Sequence, residues 1–476
     1  MDTTARALVL TVSILLSCSC NHGLPDPYGP VPGAAQLAWQ NMEYNMFVHF
    51  GPNTFSGLEW GSGAEPEDLF NPTGLDCRQW ASTAAAAGMK GIIVTAKHHD
   101  GFCLWPNPES SHSVASSSWR DGQGDVLKDL SEACREYGLG FGVYISPWDR
   151  NDPDYGSEKY NDKYLRTLSS VLDGKYGPVF ELWFDGACGE GPGGRRQVYD
   201  WERFHDCVRK LQAGTIMFSD TGPGCRWVGN ENGFAAATNW SRLNVSGFTP
   251  GAGAPPADTL QSGNVHGEKW IPAEADVSIR KGWFWRPGET PKSVEELMDI
   301  WYGSVGRNAL LLLNVPADTC GRIAHEDSLR LMEFRQRREA EFGVNLAADA
   351  KLTANACRSR KHSPRRLADG DPDTFWAVPD GDLTPSFTII LPQERCFDRI
   401  VLQEYIALGQ RVSGFKVEAR SKGGEWKRIA EGSTIGYKRI LCTPEVTASE
   451  VRVSVTSSFA CPVLSEAGLY KSPVRQ

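Results

Sequence analysis

Several features typical of membrane proteins and nucleic-acid-binding proteins are missing from this 476-residue sequence. After residue 20, no apolar run approaches the roughly 20 residues that a helix needs to cross a bilayer. Basic residues are the minority, with 49 Lys and Arg against 58 Asp and Glu, so the formal net charge is −9. Nucleic-acid-binding domains normally carry a basic face, and this acidic balance therefore argues against one.

Common cofactor and cross-linking motifs are also missing. The thirteen cysteines form no C-x-x-C pair and follow no regular spacing, which argues against a zinc site or a disulfide scaffold. The histidines show neither H-x-H nor H-E-x-x-H spacing. No G-x-G-x-x-G follows the first predicted strand, so a dinucleotide-binding domain is not indicated. We predict no metal and no cofactor.

Tryptophan, in contrast, is abundant, with 16 residues in a chain of ordinary globular composition (41% apolar, 22% charged). A buried indole needs a hydrogen-bond partner and a large space, and this number of tryptophans therefore calls for an explanation. Two interpretations remain open from composition alone. The tryptophans either form a surface that stacks on ring-shaped ligands such as sugars, or they fill the core.

The N-terminus resembles a secretory signal. Arg6 precedes an apolar stretch of about ten residues, which is too short to span a bilayer. The segment Leu-Leu-Ser-Cys at 15–18 resembles a bacterial lipobox, in which Cys18 becomes the lipidated first residue. We predict a signal peptide over residues 1–18 and a periplasmic or outer-membrane lipoprotein of a bacterium. An ordinary cleaved signal peptide is the alternative.

Residues 25–343 alternate continuous apolar runs with helical patterns. Apolar runs of this kind, each followed by a helix, are typical of a parallel sheet that is buried on both faces. Their spacing of roughly 40 residues favours an α/β fold of the (β/α)8, or TIM-like, barrel type over an open sheet. The predicted strands cover residues 47–50, 91–96, 141–146, 179–185, 215–219 and 310–315. The stretch 232–281, rich in Gly, Ala and Pro, predicts long loops.

The pattern changes near residue 345. Short alternating segments at 386–391, 399–403, 414–420 and 451–456 are separated by turn sequences such as Asp-Gly-Asp-Pro at 369–372. Alternation with frequent turns is typical of antiparallel strands with one buried face. We therefore predict a C-terminal antiparallel β-sandwich over residues 346–476.

Polar and aromatic side chains gather where the predicted barrel strands end, which is where barrel enzymes build their active sites. Asp185 ends a strand of Val, Phe, Leu, Trp and Phe, where a buried carboxylate is costly unless it is used or paired. The other residues at strand ends are His49, His98, His99, Asp100, Tyr144, Trp148, Asp149, Trp183, Arg226, Glu231, Trp283 and Trp285. Three interpretations remain open: a metal site, sugar hydrolysis by two carboxylates, and a barrel that only binds ligands.

Six segments resemble glycoside hydrolase family 29, the retaining α-L-fucosidases. They are MFVHFG (46–51), LEW (58–60), TAKHHDGFCLW (95–105), VYIS (143–146), ELWFDG (181–186) and RWVGNENG (226–233). They are most similar to the subfamily that removes α-1,3- and α-1,4-linked fucose from branched Lewis-type glycans. The tail resembles a discoidin-like (coagulation factor type C) domain through DGDPDTFWA (369–377), FDRIVLQE (397–404) and SEAGLY (465–470).

The resemblance implies a role for ten residues. It implies Asp185 as the nucleophile and Glu231, after the fifth strand, as the acid/base, with Glu190, Glu202 and Glu268 as nearby alternatives to Glu231. The residues implied to bind fucose are His49, Glu59, Trp60, His98, His99, Tyr144 and Trp183, together with Trp285 rather than Trp283 as an aromatic partner for the sugar. Arg226 is a further candidate. The implied partners are fucosylated oligosaccharides.

Overall fold

The computed structural model describes residues 23–473, and the predicted signal peptide with Cys18 lies outside this range. The first of its two parts is a closed barrel of eight parallel strands, ordered β1-β8-β7-β6-β5-β4-β3-β2. The prediction of an α/β barrel of the TIM-like type is confirmed. The strands are β1 (Tyr44–Val48), β2 (Gly91–Lys97), β3 (Gly140–Ile145), β4 (Val179–Trp183), β5 (Ile216–Ser219), β6 (Cys225–Trp227), β7 (Ala273–Ser278) and β8 (Ala309–Asn314).

Nine α-helices accompany the barrel within the described range. They are α1 (Ala34–Gln40), α2 (Pro52–Ser56), α3 (Cys77–Ala86), α4 (Val126–Tyr137), α5 (Glu158–Leu172), α6 (Trp201–Leu211), α7 (Ala257–Ser262), α8 (Val294–Gly303) and α9 (His325–Phe342). Local sequence sets their ends. Asp125, for example, accepts a hydrogen bond from Lys128 N and so caps α4, which ends at Gly138 with φ +69°. Between residues 23 and 473, no helix is both long and apolar enough to cross a bilayer.

Two barrel strands were not predicted. β6 is only three residues long and follows β5 without an intervening helix, so its sequence was assigned to a loop. β7 lies within the stretch predicted to be loops, because Glu274 and Asp276 interrupt its apolar pattern. Both acids are nevertheless buried in the folded protein. As a consequence, Glu231 follows the sixth strand rather than the fifth.

The second part is an antiparallel sheet with its own apolar core, which confirms the predicted sandwich. Its strands are β9 (Lys351–Ala354), β10 (Trp376–Ala377), β11 (Ser386–Glu404), β12 (Val412–Arg420), β13 (Lys427–Gly432), β14 (Arg439–Ser458) and β15 (Val463–Tyr470). The pairing of the long strands β11 and β14 shifts register after Ile390 and again after Phe397. This part packs directly on the barrel: Asn308 N donates to Lys438 O (3.0 Å) and Ile440 N donates to Gly306 O (3.0 Å).

Candidate active site

The candidate site is a cavity of about 180 Å³ at the carboxyl ends of the barrel strands. Its lining consists of Phe47, His49, Glu59, Trp60, His98, His99, Tyr144, Trp183, Asp185, Ala187, Glu231, Asp276 and Trp283. Nine of the ten site residues that the resemblance implied are in this set, and Trp285 is not. Glu190, Glu202 and Glu268 also lie outside it.

The alternation of side chains along a strand explains why these residues meet. Every second residue of a barrel strand points inward, and the inward position just past the strand's end opens into the cavity. Glu181 and Trp183 on β4, and Asp185 two residues beyond Trp183, follow this rule. Glu181 is fully buried in the barrel, while Trp183 and Asp185 line the cavity. Phe47 and His49 repeat it at the end of β1.

Asp185 is held through both of its carboxylate oxygens. Tyr144 donates its hydroxyl to Oδ2 at 2.8 Å, and the main-chain N–H of Ala187 donates to Oδ1 at 2.7 Å. His99 Nε2 lies 3.8 Å from Oδ2. The Asp185 side chain is 28% exposed, so it is oriented by the protein yet open to the cavity. Burial, followed by the neighbouring Asp185, raises the pKa of Tyr144 well above its usual value, so this hydroxyl stays protonated as a donor.

Glu231 is exposed and lies on a loop beyond β6. Trp283 donates its indole N–H to Glu231 Oε2 at 3.2 Å. An indole nitrogen can only donate, and the carbonyl oxygen of a protonated carboxyl group is a better acceptor than its hydroxyl oxygen. When Glu231 is protonated, this contact therefore favours the proton on Oε1.

His49 and His99 each present an unprotonated nitrogen to the cavity. His49 Nδ1 lies 2.9 Å from Asn314 Oδ1, which can only accept, so Nδ1 carries the proton. His99 Nδ1 lies 2.8 Å from Ser146 Oγ, and Ser146 donates its own proton to Trp148 O. His99 Nδ1 is therefore the donor as well.

The histidines of this cluster are neutral. Burial lowers the pKa of His49 to about 3 and that of His99 to about 4, the nearby Asp185 opposing the shift at His99. Burial also lowers the pKa of His98 well below its usual value. The His98 ring stacks on Tyr144 with centroids 5.6 Å apart, and its Nδ1 is buried without a hydrogen-bond partner among the described residues. The cluster is thus an uncharged set of hydrogen-bonding groups, suited to a neutral polyhydroxylated ligand.

The floor of the cavity is Trp183, which stacks on Phe218 with centroids 3.5 Å apart. Its indole N–H donates to Glu274 Oε1 at 2.8 Å. Glu274 in turn pairs with Glu181, and burial raises the pKa of both carboxyl groups above the usual glutamate range. Glu274 is not among the predicted site residues because its strand, β7, was not predicted. Together with Cys225, these two glutamates form a buried cluster of potential metal ligands inside the barrel, below the cavity rather than in it.

Asp276 is a second buried carboxyl group that is not among the predicted site residues. It lies on β7, accepts a hydrogen bond from Trp227 Nε1 at 3.0 Å and is 3% exposed. Burial, then the charges of Glu231 and Asp185, raise its pKa well above the usual aspartate range. Asp276, Asp185 and Glu231 also line an adjoining cavity of about 220 Å³ that includes Asp220. The one sequence signal for Asp276 was its spacing of two residues from Glu274 in a segment of otherwise small residues, Ala273–Ser278.

Trp285 is the one implied site residue that the structure leaves outside the lining of the cavity. Trp283 lines the cavity, whereas Trp285 packs near the Arg280 guanidinium, whose carbon lies 5.9 Å from its ring centre. Arg226 is also not a site residue, because it is fully buried and its guanidinium binds main-chain oxygens such as Leu260 O.

Two residues form the rim of the cavity. Glu59 accepts from Trp283 N at 3.0 Å and from Arg286 Nη2 at 2.7 Å, which fixes the segment that carries Trp283. Trp60 is 57% exposed and contacts the edge of His99. The site therefore combines the accessible carboxyl groups of Asp185 and Glu231 with neutral histidines and an exposed indole, which are the elements of glycoside hydrolysis.

Comparison with known proteins agrees with this chemistry. The family model for alpha-L-fucosidase matches residues 34–336, and that for the F5/8 type C domain matches residues 351–466. Alpha-L-fucosidase 1 of Arabidopsis thaliana is 40% identical over 94% of this chain and 88% of its own length. The crystal structure of SpGH29 superposes with a TM-score of 0.89 at 38% identity, covering 94% of this chain and all of that one.

A liganded structure is also similar. The Ruminococcus gnavus GH29 fucosidase E1_10125, solved in complex with fucose, superposes with a TM-score of 0.88 at 33% identity, over 95% of this chain and 97% of that one. The chain belongs to the α-L-fucosidases of glycoside hydrolase family 29, with an F5/8 type C domain joined to its catalytic barrel.

Proposed function

We propose that the protein is a retaining exo-α-L-fucosidase that removes terminal α-1,3- and α-1,4-linked fucose from oligosaccharides and glycoconjugates, with Asp185 as nucleophile and Glu231 as acid/base. The observation that carries this proposal is the presence of Asp185 and Glu231 in one small cavity whose histidines His49 and His99 are neutral. The R. gnavus relative, described in complex with fucose, supports the choice of sugar.

The reaction divides into two displacements. Asp185 attacks the anomeric carbon while protonated Glu231 donates its proton to the departing glycosidic oxygen, and a covalent fucosyl ester forms. Glu231 then removes a proton from water, the resulting hydroxide attacks the same carbon, and the bond to Asp185 breaks. Two inversions give net retention. The donors to both oxygens of Asp185 hold it for the first attack.

The neutral histidines and the apolar floor account for the choice of a deoxy sugar. The free Nε2 atoms of His49 and His99 accept hydrogen bonds from sugar hydroxyl groups. Phe47 and Trp183 offer an apolar surface to the fucose methyl group. The floor below Trp183 is solid core, because Glu274 and Glu181 fill it, so the cavity accepts a terminal residue rather than the middle of a chain.

Product analysis tests the linkage and the stereochemistry. The wild type is incubated with α-1,2-, α-1,3-, α-1,4- and α-1,6-fucosylated oligosaccharides, and the first product is followed by NMR. We expect release from the 1,3 and 1,4 linkages with α-fucose appearing first. Initial β-fucose would refute retention, and preferred release from 1,2 or 1,6 linkages would refute the specificity.

Two variants test the residue roles. Asp185→Ala should lower kcat/KM by about a thousandfold or more on every substrate, since it removes the nucleophile. Glu231→Ala should lower kcat/KM strongly on a Lewis-type trisaccharide but little on 2-chloro-4-nitrophenyl α-L-fucoside, whose leaving group needs no proton. Equal losses on both substrates would refute Glu231 as the acid. Absence of fucose release by the wild type would favour a glycan-binding surface lipoprotein instead.

We further propose that Cys18 is lipidated and anchors the mature chain to a bacterial membrane, on the strength of the lipobox-like sequence at 15–18. Full-length protein produced in a bacterium should then partition into the membrane fraction. Cys18→Ala should move it to the soluble fraction, and an unchanged distribution would refute the anchor.

A further inference from the structure

We propose that the C-terminal sandwich is a working part of the active site, because its Gln410 and Thr434 hold the far end of the loop that carries Glu231. We name residues 228–241 the acid loop. This inference rests on the proposed role of Glu231 as acid/base, and it assigns Gln410 and Thr434 as positioning residues.

The acid loop contains no helix or ladder strand, so its shape is set by side-chain contacts together with isolated main-chain bonds to the barrel, such as Ala235 N to Gly303 O at 2.9 Å. It leaves β6 with Val228 N donating to Glu274 O at 2.9 Å. Asn230 then closes a turn around Glu231, since its Nδ2 donates to Phe234 O at 2.8 Å and its Oδ1 accepts from Asn232 N at 3.0 Å. Glu231 itself is exposed, and the loop backbone places its side chain where Trp283 Nε1 donates to it at 3.2 Å.

The far end of the acid loop is bound by the sandwich. Gln410 clamps the backbone on both sides of Trp240: its Nε2 donates to Asn239 O at 2.9 Å, and its Oε1 accepts from Ser241 N at 2.8 Å. Thr434 Oγ1 accepts from Asn239 N at 3.0 Å. Asn239, Ser241 and Gln410 are 0% exposed and Thr434 is 1% exposed, so water cannot replace these bonds without movement of the loop.

Arg226 links this far end back to the strand from which the loop departs. Its guanidinium Nη2 donates to Asn239 Oδ1 at 2.8 Å and to Trp240 O at 3.1 Å. Arg226 lies on β6, directly before the acid loop begins. The loop is thus closed into a ring whose junction at Asn239 is shared by barrel and sandwich, and loosening that junction displaces the turn that carries Glu231.

The experiment compares two substrates that share fucose but differ in leaving group. A Lewis-type trisaccharide needs protonation of its leaving group, whereas 2-chloro-4-nitrophenyl α-L-fucoside does not. The value of kcat/KM reports the step in which that group departs. The variants are Gln410→Ala and Thr434→Val, with Thr434→Ser retaining the hydroxyl. Asn355→Ala is the matched control, because its Oδ1 accepts from Ser386 N at 2.8 Å within the sandwich.

We expect Gln410→Ala and Thr434→Val to lower kcat/KM about 10- to 100-fold on the trisaccharide and less than about threefold on the aryl fucoside. Thr434→Ser and Asn355→Ala should stay near wild type on both. A general loss of folded protein would lower kcat/KM on both substrates by the same factor, and that result would overturn the inference. Unchanged values for both variants would overturn it as well.

Glu231→Ala, measured in parallel, separates this inference from the proposed function. If Glu231→Ala shows no dependence on the leaving group, the assignment of the acid fails. If it does show that dependence but the sandwich variants do not, only the present inference fails. Should Gln410→Ala not fold, Thr434→Val decides, since it removes a single hydrogen bond.

Discussion

Replacing Trp283 by phenylalanine removes the indole N–H that donates to Glu231 Oε2 at 3.2 Å and keeps an aromatic ring in the cavity. The indole cannot accept, so in the wild type it selects the oxygen of Glu231 that carries no proton. Phenylalanine has no donor, and the acid is then free to place its proton on either oxygen. We therefore expect a loss in the step that protonates the leaving group.

The magnitude follows from the geometry of this bond. It is at the long end of the hydrogen-bond range and its acceptor is exposed, so a contribution of about 1 kcal/mol is appropriate, which corresponds to roughly a fivefold loss. The smaller ring also packs less well on His49, whose centroid lies 5.0 Å from that of Trp283. We therefore expect kcat/KM on a Lewis-type trisaccharide to fall about 5- to 10-fold.

Trp285→Phe is the matched control, since it makes the same change two residues away, outside the cavity. Steady-state kinetics on the trisaccharide and on 2-chloro-4-nitrophenyl α-L-fucoside provide the assay. Trp283→Phe should lower kcat/KM on the aryl fucoside by no more than about twofold, the share that comes from weaker packing on His49, and Trp285→Phe should leave kcat/KM on both substrates unchanged. A larger loss for Trp285→Phe, or equal losses of Trp283→Phe on both substrates, would refute the reasoning.

Three further predictions concern pH and metal. The pKa values of Glu181 and Glu274 are raised in the folded protein, so the folded state keeps protons that the unfolded chain releases near the ordinary glutamate pKa. The free energy of unfolding should therefore fall as the pH rises from the ordinary glutamate pKa to the raised values. Glu274→Gln should flatten the decline in melting temperature between pH 5 and pH 8, and an equally steep decline would contradict this origin. Asn314→Asp places a negative charge beside His49 Nδ1 and should therefore raise the pKa of His49. Because protonation of His49 removes the free Nε2 acceptor, the acidic limb of the kcat/KM profile should move up by about 1–3 pH units. An unmoved limb would contradict the tautomer inferred for His49. Dialysis against EDTA should leave kcat/KM unchanged, since two carboxyl groups suffice for the chemistry, and loss of activity restored by a divalent cation would show otherwise.

Local pattern was sufficient for much of the barrel. The strand at 91–96 and the helix capped by Asp125 were predictable because a β-branched run and a cap followed by a glycine stop are strong short-range signals. β6 and β7 were not predictable in this way. β6 is too short to show a period, and β7 carries Glu274 and Asp276 at the inward positions, where a buried strand normally carries apolar residues.

The residues of the candidate site likewise fall into those that local sequence predicts and those that it does not. The sequence by itself determined that Asp185, His49 and Tyr144 share one face, because parallel strands bring their carboxyl ends together and alternation decides which side chains point inward. It also determined the family through motifs in the right order, and nine of the ten site residues that the resemblance implied line the cavity.

Only the tertiary structure decided the rest, because it depends on contacts between segments far apart in the chain. The choice of Trp283 over Trp285 is set by Glu59, 224 residues away, which binds the Trp283 main chain. The bond between Asn239 and Gln410 spans 171 residues and two domains. No local period or motif encodes such a contact, because the free energy that selects it comes from desolvating both partners together when the chain is folded.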